Sequence, residues 1–183
     1  MTVIDYDLEF LEDGRHIELI SIGMVCDDGR EYYAVNRDMP VRKIRKHKWL
    51  MENVVPHLPK AHGDERNYQI GLLFNPYDRR VKHKAQIADD VMDFIRAAGP
   101  DVQLWANYGA YDHVALAQLW GRMIDLPEGV PMFTCDIQQE RARLGLRWDE
   151  LPQQESGEHN ALADARHNQF VRRWLAGQEA RTS

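Results

Sequence analysis

Apolar and polar residues alternate without a break from Ile4 to Phe10: Ile4, Tyr6, Leu8 and Phe10 fall on one side of an extended chain, Asp5, Asp7 and Glu9 on the other. A period of two marks a strand with two unlike faces, so residues 2–10 are read as the first strand. Residues 17–26 and 31–36 read as two more, and the Asp-Gly pairs of "EDGR" and "CDDGRE" between them are turn signals. The chain opens with a three-strand antiparallel meander.

Downstream the period lengthens. From 83 to 98, Ile87, Val91, Phe94 and Ile95 form one helical stripe, closed by Gly99 and Pro100. "VQLWAN" (102–107) reads as a buried strand, "YGAYDHVALAQLWG" as a helix stopped by Gly121, and "PMFTCDI" as a fifth short strand entering the helix "DIQQERARLG". The last helix, "NALADARHNQFVRRWLAG", has Asn160 as its cap and Gly177 as its stop. Residues 40–84 are less regular and include the Pro-containing piece "VVPHLPKAHG". Alternating helices and strands after a meander predict a layered α/β fold with a mixed sheet.

Composition bounds this picture. With 183 residues, 44% of them apolar, the chain can bury one substantial core. A single domain over 1–183 is expected, with a disordered tail from about residue 178. No apolar run approaches the length of a membrane span, and a strand pattern stands where a targeting segment would, so a cytoplasmic protein is expected. Cys26 and Cys135 lie in apolar segments and read as buried thiols. A net charge of −6 argues against coating nucleic acid but not against holding a strand end. The basic clusters at 41–48 and 79–84 read as solvated faces.

Three acids share a face of the first strand, and others could join them. Asp112 opens a helix with Ala115, Leu116 and Leu119 on its own stripe, a buried place for a charge without a partner. Asp164 shares a face of the last helix with Val171 and Leu175, and His159 lies in the loop that enters that helix if Asn160 caps it. Each has a plainer reading: an edge strand with a wet side, a helix-start acid favoured by the dipole, a surface histidine. Convergence changes the balance. Two unit charges ~5 Å apart repel by about 3 kcal/mol at an effective dielectric near 20, and four carboxylates make six such pairs. If Asp7, Glu9, Asp112 and Asp164 meet, protons or two divalent cations must compensate them, and oxygen-only ligands favour Mg²⁺ or Mn²⁺. Asp5 is left as a neighbour.

In this order, "DLE" on the first strand, "YD" opening a helix after a buried strand and "HNALAD" at the last helix resemble the motifs of the DEDDh family of 3′–5′ exonucleases. "EFLEDGRHIELISIGMV", "DGREYYAV" and "LWANYGAYDHVALAQLWG" are further similar to the polyadenylate-specific 3′-exoribonuclease AS family. The resemblance implies a ribonuclease H-like three-layer fold and a homodimer that shortens adenylate-rich, single-stranded RNA from its 3′ end. It implies that Asp7, Glu9, Asp112 and Asp164 hold two Mg²⁺ or Mn²⁺ ions, with Asp7 bridging them, and that His159 is the general base. Phe10 and Leu11 would contact the terminal base and ribose, or equally pack in the core. Trp105 and Trp120 could stack on adenines, although their contexts favour burial. The wider family often has Asn four residues before the second-motif Asp, where this chain has Tyr108, with Asn107 one place earlier. That departure leaves the orientation of Asp112 open. A DNA 3′–5′ exonuclease of the proofreading kind would share every metal ligand. A non-catalytic RNA-end-binding module on the same fold would have no need for mutually repelling acids.

Overall fold

The computed structural model describes residues 1–60 and 73–182. The end of the Pro-containing piece, from residue 61, lies outside the described residues. Among these, six strands form one sheet: β1 (Thr2–Glu12), β2 (Ile17–Cys26), β3 (Glu31–Asn36), β4 (Val81–Lys82), β5 (Val102–Ala106) and β6 (Cys135–Asp136). Their order is β4-β3-β2-β1-β5-β6. The meander β1-β2-β3 is antiparallel, whereas β4, β5 and β6 join their neighbours in parallel. The two Asp-Gly turns carry Gly14 at φ 81° and Gly29 at φ 89°, a region open to glycine without a Cβ penalty.

Six α-helices complete the described fold: α1 (Val41–Ile44), α2 (Lys48–Asn53), α3 (Lys84–Arg96), α4 (Ala110–Ala117), α5 (Ile137–Arg143) and α6 (Ala161–Thr182). The even-numbered side of β1 (Ile4, Tyr6, Leu8) packs with Ile22 and Met24 against Ile87, Val91 and Ile95 of α3 and Ala115 and Leu116 of α4. On the opposite side α6 lies against β1 and β2. Beside it, Leu11, Ile20 and Val35 pack with Ile44, Leu50 and Val54 from α1, α2 and the turn that follows. Helices thus cover both faces of a mixed sheet, the layered α/β arrangement expected from the residue pattern and the three layers that the resemblance implies. No helix among the described residues is long and apolar enough to cross a membrane.

Several boundaries differ from those read from periodicity. The short strand at 135–136 is the sixth and not the fifth, because β4 pairs through only Val35–Val81 and Asn36–Lys82, too short to leave a period. Helix α4 ends at Ala117, and Leu119 and Trp120 continue in tighter turns bonded to Leu116 and Ala117. Gly177 does not stop α6, which continues to Thr182; one glycine inside a helix costs only about 1 kcal/mol. Within 41–60 the basic run folds as two short helices whose charged residues Arg42, Lys43, Arg45, Lys46 and Lys48 are exposed, while Ile44 and Leu50 face inward. Trp105 and Trp120 are half-buried against apolar clusters. Cys26 is a buried thiol, whereas Cys135 is only half-buried, since β6 lies at the sheet edge.

Candidate active site

The acids of β1 separate by role. Asp5 is fully buried and forms a paired contact with Arg172 of α6, Nε to Oδ1 and Nη2 to Oδ2 both at 2.8 Å. It is a neighbour of the site, tied to the helix that carries Asp164. Asp7 and Glu9 sit further along the same face. Glu9 pairs with Ser21 and Phe10 with Leu19, so Ile20 is the extra residue of a bulge in β2. A bulge bends and twists its strand, here beside the second acid, and it lets Ile20 join Leu11 in the cluster beneath α1 and α2.

Asp112 arrives from the first turn of α4. Pairing between β1 and β5 ends at Asp5 and Trp105; beyond that point the Leu8 N–H donates to Asp112 Oδ1 at 2.9 Å. The carboxylate satisfies a backbone donor that β5 no longer reaches. The entry to α4 is held by Asp136, whose Oδ2 accepts from the Gly109 N–H at 2.6 Å while its Oδ1 caps α5 through Gln138 N at 2.7 Å.

Asp164 lies in the first turn of α6. Asn160 is the cap, accepting from the Ala163 N–H at 3.1 Å, and Gln154 Nε2 donates to Asp164 Oδ1 at 2.8 Å. His159 precedes the cap at φ 64°, a left-handed backbone uncommon for a residue with a side chain. Its ring meets Trp49 of α2 edge-on, centroids 4.8 Å apart, and its Nδ1 is 4.0 Å from Glu9 Oε1. The loop position anticipated for His159 therefore does turn it to the face that Asp164 shares.

Ligand oxygens of Asp7, Glu9 and Asp164 all lie within 4.8 Å of one another. Asp112 stands outside that triplet but lines the same cleft of about 370 Å³, together with His159, Phe10 and Asn107. The cluster titrates accordingly. Burial, then the charges of Asp112, Glu9 and Asp164, push the Asp7 carboxyl well above its ordinary range. Burial, then Asp164 and Asp112, push Glu9 up to about 8. Asp112 is raised to about 7 by burial, against the opposing Leu8 hydrogen bond, and Asp164 is raised by burial against its bond from Gln154. An all-oxygen donor set whose members hold protons so tightly has the chemistry of a site for hard divalent cations.

Phe10 lines the cleft and stacks on Tyr111 with centroids 6.5 Å apart. Leu11 is buried in the α1/α2 cluster, the packing role weighed for it. Asn107 reaches the cleft despite its offset, its Oδ1 accepting from Gln138 Nε2 at 2.8 Å, whereas Tyr108 is exposed at φ 55°. Sequence reasoning missed Gln154, Glu158, His167 and Asn168 in the same wall. His167 and Asn168, three and four residues after Asp164, could have been found from helical spacing. The two loop residues offered no such signal.

The pattern of the Rv2179c-like 3′–5′ exoribonuclease domain matches residues 72–174. Two 3′–5′ exoribonucleases of Mycobacterium tuberculosis, Rv2179c of strain H37Rv and MT2234.1 of strain CDC 1551, are each 42% identical over 162 residues, covering 88% of this chain and 85% of theirs. Among solved structures, the Mg²⁺- and Mn²⁺-bound form of S. pombe Pop2p is similar with a TM-score of 0.46 and 13% identity, over 95% of this chain and 81% of that one. On the domain match and the 42% identity along most of its length, the chain belongs to the Rv2179c-like 3′–5′ exoribonuclease family.

Proposed function

We propose that this protein is a divalent-metal-dependent 3′–5′ exoribonuclease that removes nucleoside 5′-monophosphates from single-stranded, adenylate-rich RNA ends in the cytoplasm. One observation carries the reading: Asp7, Glu9 and Asp164, from opposite ends of the chain, offer oxygens within 4.8 Å of one another beside His159. Asp7, Glu9, Asp112 and Asp164 would hold two Mg²⁺ or Mn²⁺ ions. When bound, such a pair supplies an activated water and stabilises the departing 3′ oxygen. His159 would accept a proton from the attacking water as that oxygen bonds to phosphorus, the P–O3′ bond breaks and the departing 3′ oxygen takes a proton from solvent. Gln154 restrains Asp164, Trp49 limits the swing of the His159 ring, and Phe10 supports the terminal base. A homodimer belongs to this reading, supported by the exposed apolar side chains Met123, Ile124, Met132 and Phe133.

The test is digestion of RNAs with 3′ tails of A or U, and of a DNA of matched sequence, with Mg²⁺ and with chelator. The expected result is stepwise release of 5′-monophosphates from RNA only when Mg²⁺ is present, fastest from A tails. Equal rates on the DNA would replace this reading with the proofreading one, and binding without cleavage would replace it with an RNA-end-binding module. Light scattering of the eluting protein reads the dimer.

A further inference from the structure

Strand β5 ends at Ala106, and α4 begins at Ala110 with Asp112 in its first turn. Asn107, Tyr108 and Gly109 make the reversal between them, with Tyr108 at φ 55°, a left-handed backbone that a residue with a side chain keeps only where its surroundings hold it. Tyr108, which stands where the wider family often has Asn, is exposed, so it does not hold the reversal from within. Gly109 precedes the helix and has no side chain with which to cap it.

The support comes from the neighbouring strand. Ala106 and Asp136 are partners in the parallel pairing of β5 with β6, which brings the Asp136 carboxylate level with the reversal. Its two oxygens serve different helices. Oδ2 accepts from the Gly109 N–H at 2.6 Å, while Oδ1 caps α5 by accepting from the Gln138 and Gln139 N–H groups at 2.7 and 3.1 Å. Gln138 adds a second tie, its Nε2 donating to Asn107 Oδ1 at 2.8 Å. The fit is close: a Cβ on Gly109 would stand 3.0 Å from both the Ala106 Cβ and the Thr134 Cγ2. Hydrogen bonds to a charged acceptor are about twice as strong as neutral ones, and an ionised carboxylate accepts on both of its oxygens.

Two other contacts fix α4 from the side of β1: the Leu8 N–H to Asp112 Oδ1 at 2.9 Å, and Tyr6 Oη with His113 Nδ1 at 3.3 Å. Neither reaches the residues before the helix. Asp136 itself lies outside the acidic triplet and does not line the catalytic cleft.

We propose that Asp136 is a positioning residue for Asp112: by pinning Gly109 beside β6 it fixes the first turn of α4, and with it the place of the Asp112 carboxylate relative to Asp7 and Glu9. This role rests on the reading of Asp112 as a metal ligand. Affinity for Mg²⁺ then depends on a carboxylate that never touches the ion.

Asp136→Asn keeps the size of the side chain and the cap of α5, since Asn and Asp cap equally well, but sets an amide N–H₂ against the Gly109 N–H. Asp136→Ser also keeps a cap, and its single oxygen cannot serve both helices. Each variant should retain a Tm in chelator close to that of the parent. Under the same conditions the Leu8 amide, whose acceptor is Asp112, should exchange its hydrogen at least tenfold faster. The Mg²⁺ concentration giving half of the thermal shift should rise by about 10–100-fold, the loss expected for an outer partner of a metal site. Leu8 exchange or an Mg²⁺ midpoint at the parental value in both variants overturns the inference. A parent whose Tm ignores Mg²⁺ ends the metal reading instead, and Leu8 exchange alone then decides whether Asp136 holds Asp112 in place. If neither variant folds, the parent decides: by the reciprocity of linked equilibria, Mg²⁺ should slow exchange of the Gly109 N–H at least threefold, and an unchanged rate overturns the inference.

Discussion

The Ala161 carbonyl oxygen lies 2.2 Å from where a Cβ on Gly23 would stand, and Gly23 is the cross-strand partner of Asp7. A position without a side chain lets the first turn of α6 rest directly on the sheet. That contact sets how close Asp164 and His159 come to the acids of β1.

Gly23→Ala is therefore expected to displace the start of α6. The obstructing atoms are backbone, which cannot rotate away, and overpacking of this kind costs about 1–3 kcal/mol or more. Thermal denaturation should show a lower Tm, and nuclease activity should fall at least tenfold. A variant with parental Tm and activity would mean that the helix yields without consequence.

Asp112→Asn keeps an oxygen to accept the Leu8 N–H and removes a charge from the acidic cluster. Its fold should survive, with a Tm equal to or above that of the parent in chelator. Loss of an outer partner of a metal site costs 10–100-fold, so loss of a proposed ligand should lower the rate by at least ~100-fold. Parental turnover would remove Asp112 from the site.

His159→Ala should separate proton transfer from metal binding. General-base catalysis is worth about 10²–10⁴ in rate, so turnover should drop by that order while the thermal shift on adding Mg²⁺ persists. Loss of the Mg²⁺ shift would make His159 a ligand instead.

The acidic cluster predicts how metal and pH combine. The Asp7 and Asp164 carboxyls are raised, Asp112 to about 7 and Glu9 to about 8. Between the ordinary carboxylate range and these values the folded chain holds protons that the unfolded chain has released. The cluster's contribution to stability is thus fully present at acid pH and is lost as pH rises towards about 8. Cations that compete with those protons should bind more tightly as pH rises. Scans in chelator and in Mg²⁺ should show a metal-induced Tm increase that grows from pH 5 to pH 8. A shift that is constant or shrinks over that range would contradict a shared acidic site.

Arg172 bridges Asp5 on β1 and Asp27, Nη2 to Asp27 Oδ1 being 2.8 Å. Arg172→Ala would leave the buried Asp5 charge without its partner, a loss of about 3–5 kcal/mol. The double variant Asp5→Leu with Arg172→Met should recover most of that loss in urea unfolding, since an apolar pair of similar volume replaces the ion pair. Equal stability of the single and double variants would show that the pair is not what fastens α6 to β1.

The first strand of the meander was legible because alternation over the seven residues Ile4–Phe10 has one structural solution, and the Asp-Gly turns fall where positive φ is needed. Helix α6 was legible through its Asn160 cap, and Asp112 through its place on an apolar stripe. Strand β4 was not, because two residues held by parallel pairing to β3 leave no period, and neither was the passage of α6 through Gly177, where helix already formed outweighs one weak residue.

By itself the order of residues determined the meander, the strand at 102–106 and the helices that carry Asp112 and Asp164, the sharing of one face by Asp5, Asp7 and Glu9, and the candidacy of Asp112, His159 and Asp164. Only the tertiary structure decided which of those acids meet. It turned Asp5 to Arg172 and brought Asp164 to Asp7 and Glu9, and it set Asp136 at the entry to α4. The reason is physical: local periodicity is carried by neighbours in the chain, whereas the approach of β1 to α6 depends on a missing side chain at Gly23, a bulge at Ile20 and a buried ion pair, contacts between segments far apart in sequence.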